Sequence, residues 1–360
     1  MQRFEALQKP TAIITGSIYL EHETGRHPES VGRLARFPQI IAELLAEETG
    51  HFTSLEPQEA PLTQIARVHD ASYLEDLRDF CESGGGRIDP DTHVSEGSYR
   101  AARYAVGGLL RGIEAVLVGE VQNAFALVRP PGHHALTNRS MGFCLFNNVA
   151  LAARHLIEEY GLHRILIVDW DVHHGNGTQN IFYDDPRVLY YSSHQSPLYP
   201  GTGSLDEIGV GQGCGYNVNL PLPPGSGDTV MEQAFTRILE PLAERYEPEF
   251  ILVSAGYDAH WRDALHTTAL QVSTLGFATM VDRVKRLAET FCQGRLALTL
   301  EGGYDPAALA DSVYATLRVL AGESPEKAAS HDLRRSRREL PANHEYILAL
   351  LEEIRKTHSL

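Results

Sequence analysis

The sequence predicts an α/β fold: a parallel sheet with helices packed on both faces. Short β-type apolar runs recur along the chain, each ending in a glycine-containing polar loop, and helix-period stretches lie between them. Strands alternating with helices are joined by crossover connections, which leave neighbouring strands parallel. The loops after the runs carry carboxylates, imidazoles and a tyrosine. In such sheets ligands bind beyond the carboxyl ends of the strands, so these loops are expected to meet on one edge.

Taken in order, the run Phe125–Val128 leads into Arg-Pro-Pro-Gly and then His133-His134, and a helix pattern follows over 148–160. The run Ile165–Val168 leads into Asp169-Trp-Asp-Val-His-His-Gly-Asn-Gly-Thr178. Asp169, Asp171 and His173 stand at i, i+2 and i+4, a spacing that turns all three to one face at a strand end. Asp171 and His173 are placed to grip one metal ion, with Asp169 close behind them. Gly175 and Gly177 allow a tight turn directly afterwards. Buried carboxylates need partners, which argues against a merely polar loop. The run Val188–Tyr191 ends in Ser-Ser-His194, and a helix pattern covers 230–246. The run Phe250–Ser254 ends in Ala-Gly-Tyr-Asp258, which adds a third ligand, and a helix follows over 274–291. The run Leu296–Leu300 ends in Glu-Gly-Gly-Tyr304.

The residues of metal type span 133–304, and no linker, repeat or low-complexity tract interrupts them. One catalytic domain is therefore expected over 1–322. A tail over 323–360 carries a basic Arg334–Arg338 run and an amphipathic helix pattern at 348–354, expected to pack on the domain. The formal net charge of −16 argues against nucleic-acid binding, which needs a basic footprint. No apolar run reaches the roughly 20 residues that span a bilayer, and no signal peptide is evident. Cys81, Cys144, Cys214 and Cys292 are scattered without CxxC spacing, so neither a disulfide framework nor a cysteine zinc site is indicated. A cytoplasmic location is the expectation.

Five segments occur in a telling order: Arg129-Pro-Pro-Gly-His-His134, Gly142-Phe-Cys-Leu-Phe-Asn-Asn148, Asp169-Trp-Asp-Val-His-His-Gly-Asn-Gly-Thr-Gln179, Pro200-Gly-Thr-Gly203 and Glu301-Gly-Gly-Tyr304. Together they resemble the zinc-dependent histone deacetylase family, which includes acetylpolyamine amidohydrolases and bacterial deacetylase-like amidohydrolases. Asn176 resembles the class II branch. The resemblance implies an arginase-like fold with a central eight-stranded parallel sheet flanked by helices. It implies zinc ligation by Asp171, His173 and Asp258, a set that leaves positions open for water and substrate and also suits Fe(II) or Co(II). By the same resemblance His134 is the general base and then the acid, oriented by Asn176. His133 is its electrostatic partner, oriented by Asp169, and Tyr304 is the oxyanion donor.

For the substrate, the resemblance implies a narrow tunnel walled by Phe143 and Tyr199, with the Gly142 carbonyl accepting the amide N–H. Leu265 stands where some relatives carry a polyamine-selecting Glu. Asp91, with His93 as the alternative, is the expected rim contact. Arg33, in His27-Pro-Glu-Ser-Val-Gly-Arg33, is expected beneath the site by a channel for departing acetate, with Val31 replacing the usual proline. Potassium is implied near Asp169, Asp171, His173 and Ser192, and a second ion near Phe182 and Val188.

The implied function is removal of acetyl or other acyl groups from Nε-acetyl-lysine of proteins or peptides, releasing free amine and acetate. The alternative is an acetylpolyamine amidohydrolase acting on small acetylated amines, for which Asp91, Glu96 and Asp263 would form an acidic mouth. A two-manganese ureohydrolase needs more bridging ligands than the motifs offer, and a non-catalytic acyl-lysine binder is disfavoured because no ligand is missing and Tyr304 is kept. An oligomer is compatible with the sequence, and no membrane partner is expected.

Overall fold

Eight strands form one sheet in the computed structural model, which describes residues 9–336, 338–341 and 344–360. They are β1 (Thr11–Ile14), β2 (Phe52–Leu55), β3 (Asn123–Ala126), β4 (Ile165–Asp169), β5 (Val188–Gln195), β6 (Asn217–Leu222), β7 (Phe250–Ala255) and β8 (Leu296–Leu300). Their spatial order is β2-β1-β3-β8-β7-β4-β5-β6, and every pairing is parallel. Helices cover both faces, so the strands read as continuous apolar runs rather than alternating ones. Ile165–Val168 and Phe250–Val253 are wholly buried.

The order explains why the polar loops converge. β3, β8, β7 and β4 lie side by side at the centre of the sheet; their outgoing loops carry His133 and His134, Tyr304, Asp258, and Asp171 and His173, with Asp169 at the end of β4 itself. Register aligns their ends: Asp169 pairs with Ser254 on one side and Ser192 on the other, and Leu300 pairs with Ala255. β1, β2 and β6 are the strands that the polar-loop pattern does not mark.

The helices begin where side chains can take up their free N–H groups. Asn147 caps the helix Asn148–Tyr160 by accepting from Ala150 N at 3.0 Å, and Gly161 closes it in the left-handed conformation at φ 64°. Ser273 caps Thr274–Phe291 by accepting from Gly276 N at 3.1 Å. Asp305 caps Pro306–Leu320 by accepting from Ala307 N and Ala308 N at 3.0 and 2.6 Å, which fixes the backbone next to Tyr304.

The single helix expected over 230–246 is three consecutive pieces: Asp228–Ala234, a π-helical turn Phe235–Leu239, and Glu240–Tyr246. Pro241 is the reason. It has no N–H to give to the preceding turn and its ring crowds the carbonyl four residues back, which the wider turn relieves. In the tail, helix Glu345–Thr357 buries Ile347, Leu350, Leu351 and Ile354. No helix among the described residues is long and apolar enough to cross a membrane.

Candidate active site

Asp171, His173 and Asp258 are buried, and one ligand atom from each lies within 4.8 Å of the others. His173 Nδ1 stands 3.0 Å from Asp171 Oδ1 and 3.1 Å from Asp258 Oδ2. The remaining carboxylate valences are tied to backbone: Asp171 Oδ2 accepts from Gly302 N at 2.9 Å, and Asp258 Oδ1 accepts from Val172 N at 2.9 Å. Asp258 Oδ2 makes no hydrogen bond although buried. A buried carboxylate oxygen without a partner is costly. Here it faces an imidazole nitrogen and a second carboxylate, a donor set suited to a divalent cation such as zinc. The residues fit the ion that the motifs imply.

Gly302 is part of that cradle. A Cβ on it would lie 2.2 Å from Asp258 Oδ2 and 2.6 Å from Asp171 Oδ2. Gly302→Ala is therefore expected to displace both carboxylates and strip the metal. Metal content per chain after gel filtration checks this, and full occupancy would contradict it.

His133 and His134 are adjacent, with ring centroids 4.1 Å apart, yet they occupy opposite electrostatic settings. His133 Nδ1 donates to Asp169 Oδ2 at 3.0 Å, and Asp169 is further held by Tyr190 Oη at 2.9 Å. Burial alone would lower the His133 pKa, but the Asp169 and Asp171 carboxylates outweigh it and push it up to about 10. His134 Nδ1 donates to Asn176 Oδ1 at 2.7 Å. Burial, and then the neighbouring His133, hold its pKa well below the usual imidazole value. The neutral Asn176 orients the ring without the basicity that a carboxylate would add. The two rings thus sit in contrasting settings: the Asp169 carboxylate favours the protonated form of His133, and burial favours the neutral form of His134.

A cavity of about 180 Å³ opens onto these groups. Its lining includes His134, Tyr304, Phe143, Tyr199, Leu265 and Asp91. Gly142 is in the wall as well. Phe143 takes φ 68°, a left-handed conformation unusual for an aromatic residue, and its ring meets that of Tyr304 edge-on at 5.7 Å. Such a backbone costs about 1 kcal/mol or more and persists where the surroundings enforce it. Tyr199 approaches His134 edge-on at 5.2 Å. His93 is outside the lining; its ring lies 5.0 Å from His27, whose Nε2 donates to the Asp91 carbonyl at 2.9 Å. Of the two, Asp91 is the one that lines the cavity.

Arg33 is buried under Tyr304, its guanidinium 4.9 Å from the ring centroid. It donates to the Gly303 carbonyl at 2.7 Å, to the Glu301 carbonyl, and to Glu29 Oε1 at 3.0 Å. Ser192 lies across the sheet from Asp169, with its hydroxyl 2.9 Å from His194 Nδ1.

The sequence does not single out Glu301 or Glu29, and it offers Asp263 only as an acidic mouth residue, whereas the structure turns Asp263 away from the cavity lining to the backbone. Glu301 Oε2 accepts from the backbone N–H of Gly132 and His133 at 2.6 and 3.2 Å, fixing the histidine loop. Asp263 accepts from Tyr304 N at 2.7 Å and Leu265 N at 3.0 Å, joining the backbone at Tyr304 to that at Leu265. Glu29 binds Arg129 through Nε and Nη2 at 2.5 and 2.7 Å as well as Arg33. Their signals were present in Glu301-Gly-Gly-Tyr304, Asp263-Ala-Leu-His266 and His27-Pro-Glu29, but as neighbours of the residues that drew attention.

The model of the histone deacetylase domain matches residues 27–320. The chain belongs to the histone deacetylase family. It is 44% identical over 295 residues to a probable deacetylase of Archaeoglobus fulgidus, covering 82% of this chain and 81% of that one. It is 36% identical over 333 residues to the histone deacetylase-like amidohydrolase of Pseudomonas aeruginosa, covering 88% and 87%. Among solved structures it superposes on the HDA15 HD domain with a TM-score of 0.84 and 32% identity, over 97% of this chain and 94% of that one. The arginase-like histone deacetylase fold expected from the motifs is the fold observed. The chain is accordingly a hydrolase of the deacetylase and amidohydrolase class.

Proposed function

We propose that this histone deacetylase-family hydrolase removes acetyl groups from Nε-acetyl-lysine side chains of proteins or peptides in a zinc-dependent reaction. The observation that carries this is the cavity itself. It is walled by Phe143, Tyr199 and Leu265, and it reaches His134, Tyr304 and the His173 member of the Asp171–His173–Asp258 group. Apolar walls suit the methylenes of an unbranched chain, and the polar groups stand where the amide would arrive.

Asp171, His173 and Asp258 would hold zinc, which when bound would supply Lewis acidity toward the acetyl carbonyl and a water. The chain's own groups do the rest. The Gly142 carbonyl accepts the amide N–H of the substrate. With Nδ1–H given to Asn176, His134 keeps Nε2 as a proton acceptor and takes a proton from the attacking water. The charge on the former carbonyl oxygen is met by the Tyr304 hydroxyl and the cationic His133. His134 then returns its proton to the departing nitrogen, leaving amine and acetate. Potassium is expected on backbone oxygens around Asp169, Asp171, His173 and Ser192, because the Asp169 and Ser192 side chains are already engaged.

One observation favours the second reading, a small acetylated polyamine: Asp91 lines the cavity and Asp89 stands beside it. Comparison of kcat/KM for an Nε-acetyl-lysine peptide and for acetylputrescine, on zinc-loaded protein, separates the two. A clear preference for the peptide is expected. A clear preference for acetylputrescine would replace the lysine reading with the polyamine one.

A further inference from the structure

Tyr199 is 38% exposed and sits on a surface loop, yet it forms one wall of the cavity. What holds that loop is a web of polar side chains behind it. Gln179 Oε1 accepts from His174 Nε2 at 3.0 Å and from Asn217 Nδ2 and Asn219 Nδ2 at 2.8 Å each. Gln179 Nε2 donates to Glu207 Oε2 at 2.5 Å, and the same oxygen accepts from Gly203 N at 3.0 Å. His174 Nδ1 stands 2.8 Å from Thr202 Oγ1, and His194 Nε2 donates to the Gly203 carbonyl at 3.0 Å.

The loop is thus gripped at Thr202, Gly203 and Glu207, and one of the grips comes from His174, the residue next to the ligand His173. The fit is close as well as polar. A Cβ on Gly203, at φ 89°, would lie 2.5 Å from His194 Nε2 and 2.6 Å from His174 Cγ. The loop backbone therefore lies directly on the imidazole pair. Between the grips and Tyr199 only Pro200 and Gly201 intervene, and Pro200 fixes its own φ.

We propose that Gln179 and Glu207 are positioning residues that set the width of the acyl-chain cavity by clamping the Tyr199 wall to the segment carrying the metal ligands. Neither residue lines the cavity, so their influence on substrate passes through the loop. The proposal rests on the preceding reading only in that the cavity takes an acetylated amine chain.

The test compares wild type, Glu207→Ala and Glu207→Gln with an Nε-acetyl-lysine peptide, with a peptide whose acetylated side chain carries a methyl branch, and with acetylputrescine. A slack wall removes binding common to ground and transition states, so Glu207→Ala is expected to raise KM about tenfold while kcat stays within about threefold. Discrimination against the branched chain should narrow. Glu207→Gln should restore both, since its amide oxygen still accepts from Gln179 and Gly203. KM and discrimination unchanged in Glu207→Ala, or a defect that Glu207→Gln does not rescue, would overturn the proposal.

Should Glu207→Ala not fold, Thr202→Val at the exposed end of the clamp carries the test: a raised KM is expected, and an unchanged one counts against the clamp. If wild type hydrolyses acetylputrescine and no peptide, the lysine reading fails, while the clamp is still read from KM for acetylputrescine.

Discussion

Tyr304→Phe is expected to lower kcat by about 100-fold or more with little change in KM, the effect of losing one preorganised oxyanion donor. The substitution is clean because the ring is held by contacts that phenylalanine keeps: the Arg33 guanidinium over one face and the edge-on contact with Phe143. The backbone is held separately, through Tyr304 N to Asp263 and through the Asp305 cap of the following helix. Burial raises the hydroxyl pKa well above its usual value, so the group stays a protonated donor throughout the neutral range. Only the O–H is lost in the variant, and the loss falls on the transition state, where charge has developed. Steady-state kinetics on the preferred acetylated substrate decide it. An unchanged kcat would remove Tyr304 from the chemistry.

Glu29→Ala is expected to destabilise the fold by about 3–5 kcal/mol, the range for removing one partner of a buried ion pair. Glu29 is fully buried between Arg33 and Arg129, with His22 Nε2 at 3.3 Å. Burial would raise its pKa, but the Arg129 charge and the His22 contact outweigh it and hold the carboxyl well below the usual range. Without it, two buried guanidiniums share no carboxylate. Because the folded pKa is depressed, the stabilisation is present above the unfolded-state pKa near 4.5 and is lost as the pH falls below it. Urea unfolding near neutral pH measures the difference, and a change below about 1 kcal/mol would contradict the account. Arg33 also underlies Tyr304, so activity is expected to fall even where the variant remains folded.

The Asp171–His173–Asp258 group was legible in the sequence because strand geometry is local. A period of two at the end of an apolar run fixes which side chains share a face, and parallel topology fixes where the loops meet. The histidine pair, Tyr304, and the walls Phe143 and Tyr199 were legible by resemblance, and the structure places all of them on one cavity. What stayed hidden depends on partners remote in sequence. Glu29 meets Arg129 from 100 residues away, and Arg33 reaches the Gly303 carbonyl across 270. No periodicity encodes such contacts. The π-helical turn at Phe235–Leu239 was hidden for another reason: Pro241 distorts the turn before it without interrupting the apolar pattern.

The most direct test of the account is zinc content and acetate release measured together, on wild type and on Asp258→Ala, with an Nε-acetyl-lysine peptide as substrate. One zinc per wild-type chain and one acetate for each acetyl-lysine consumed are expected, with both lost in a variant that remains folded. Full zinc in Asp258→Ala, or acetate release that persists in a zinc-free chain, would contradict it.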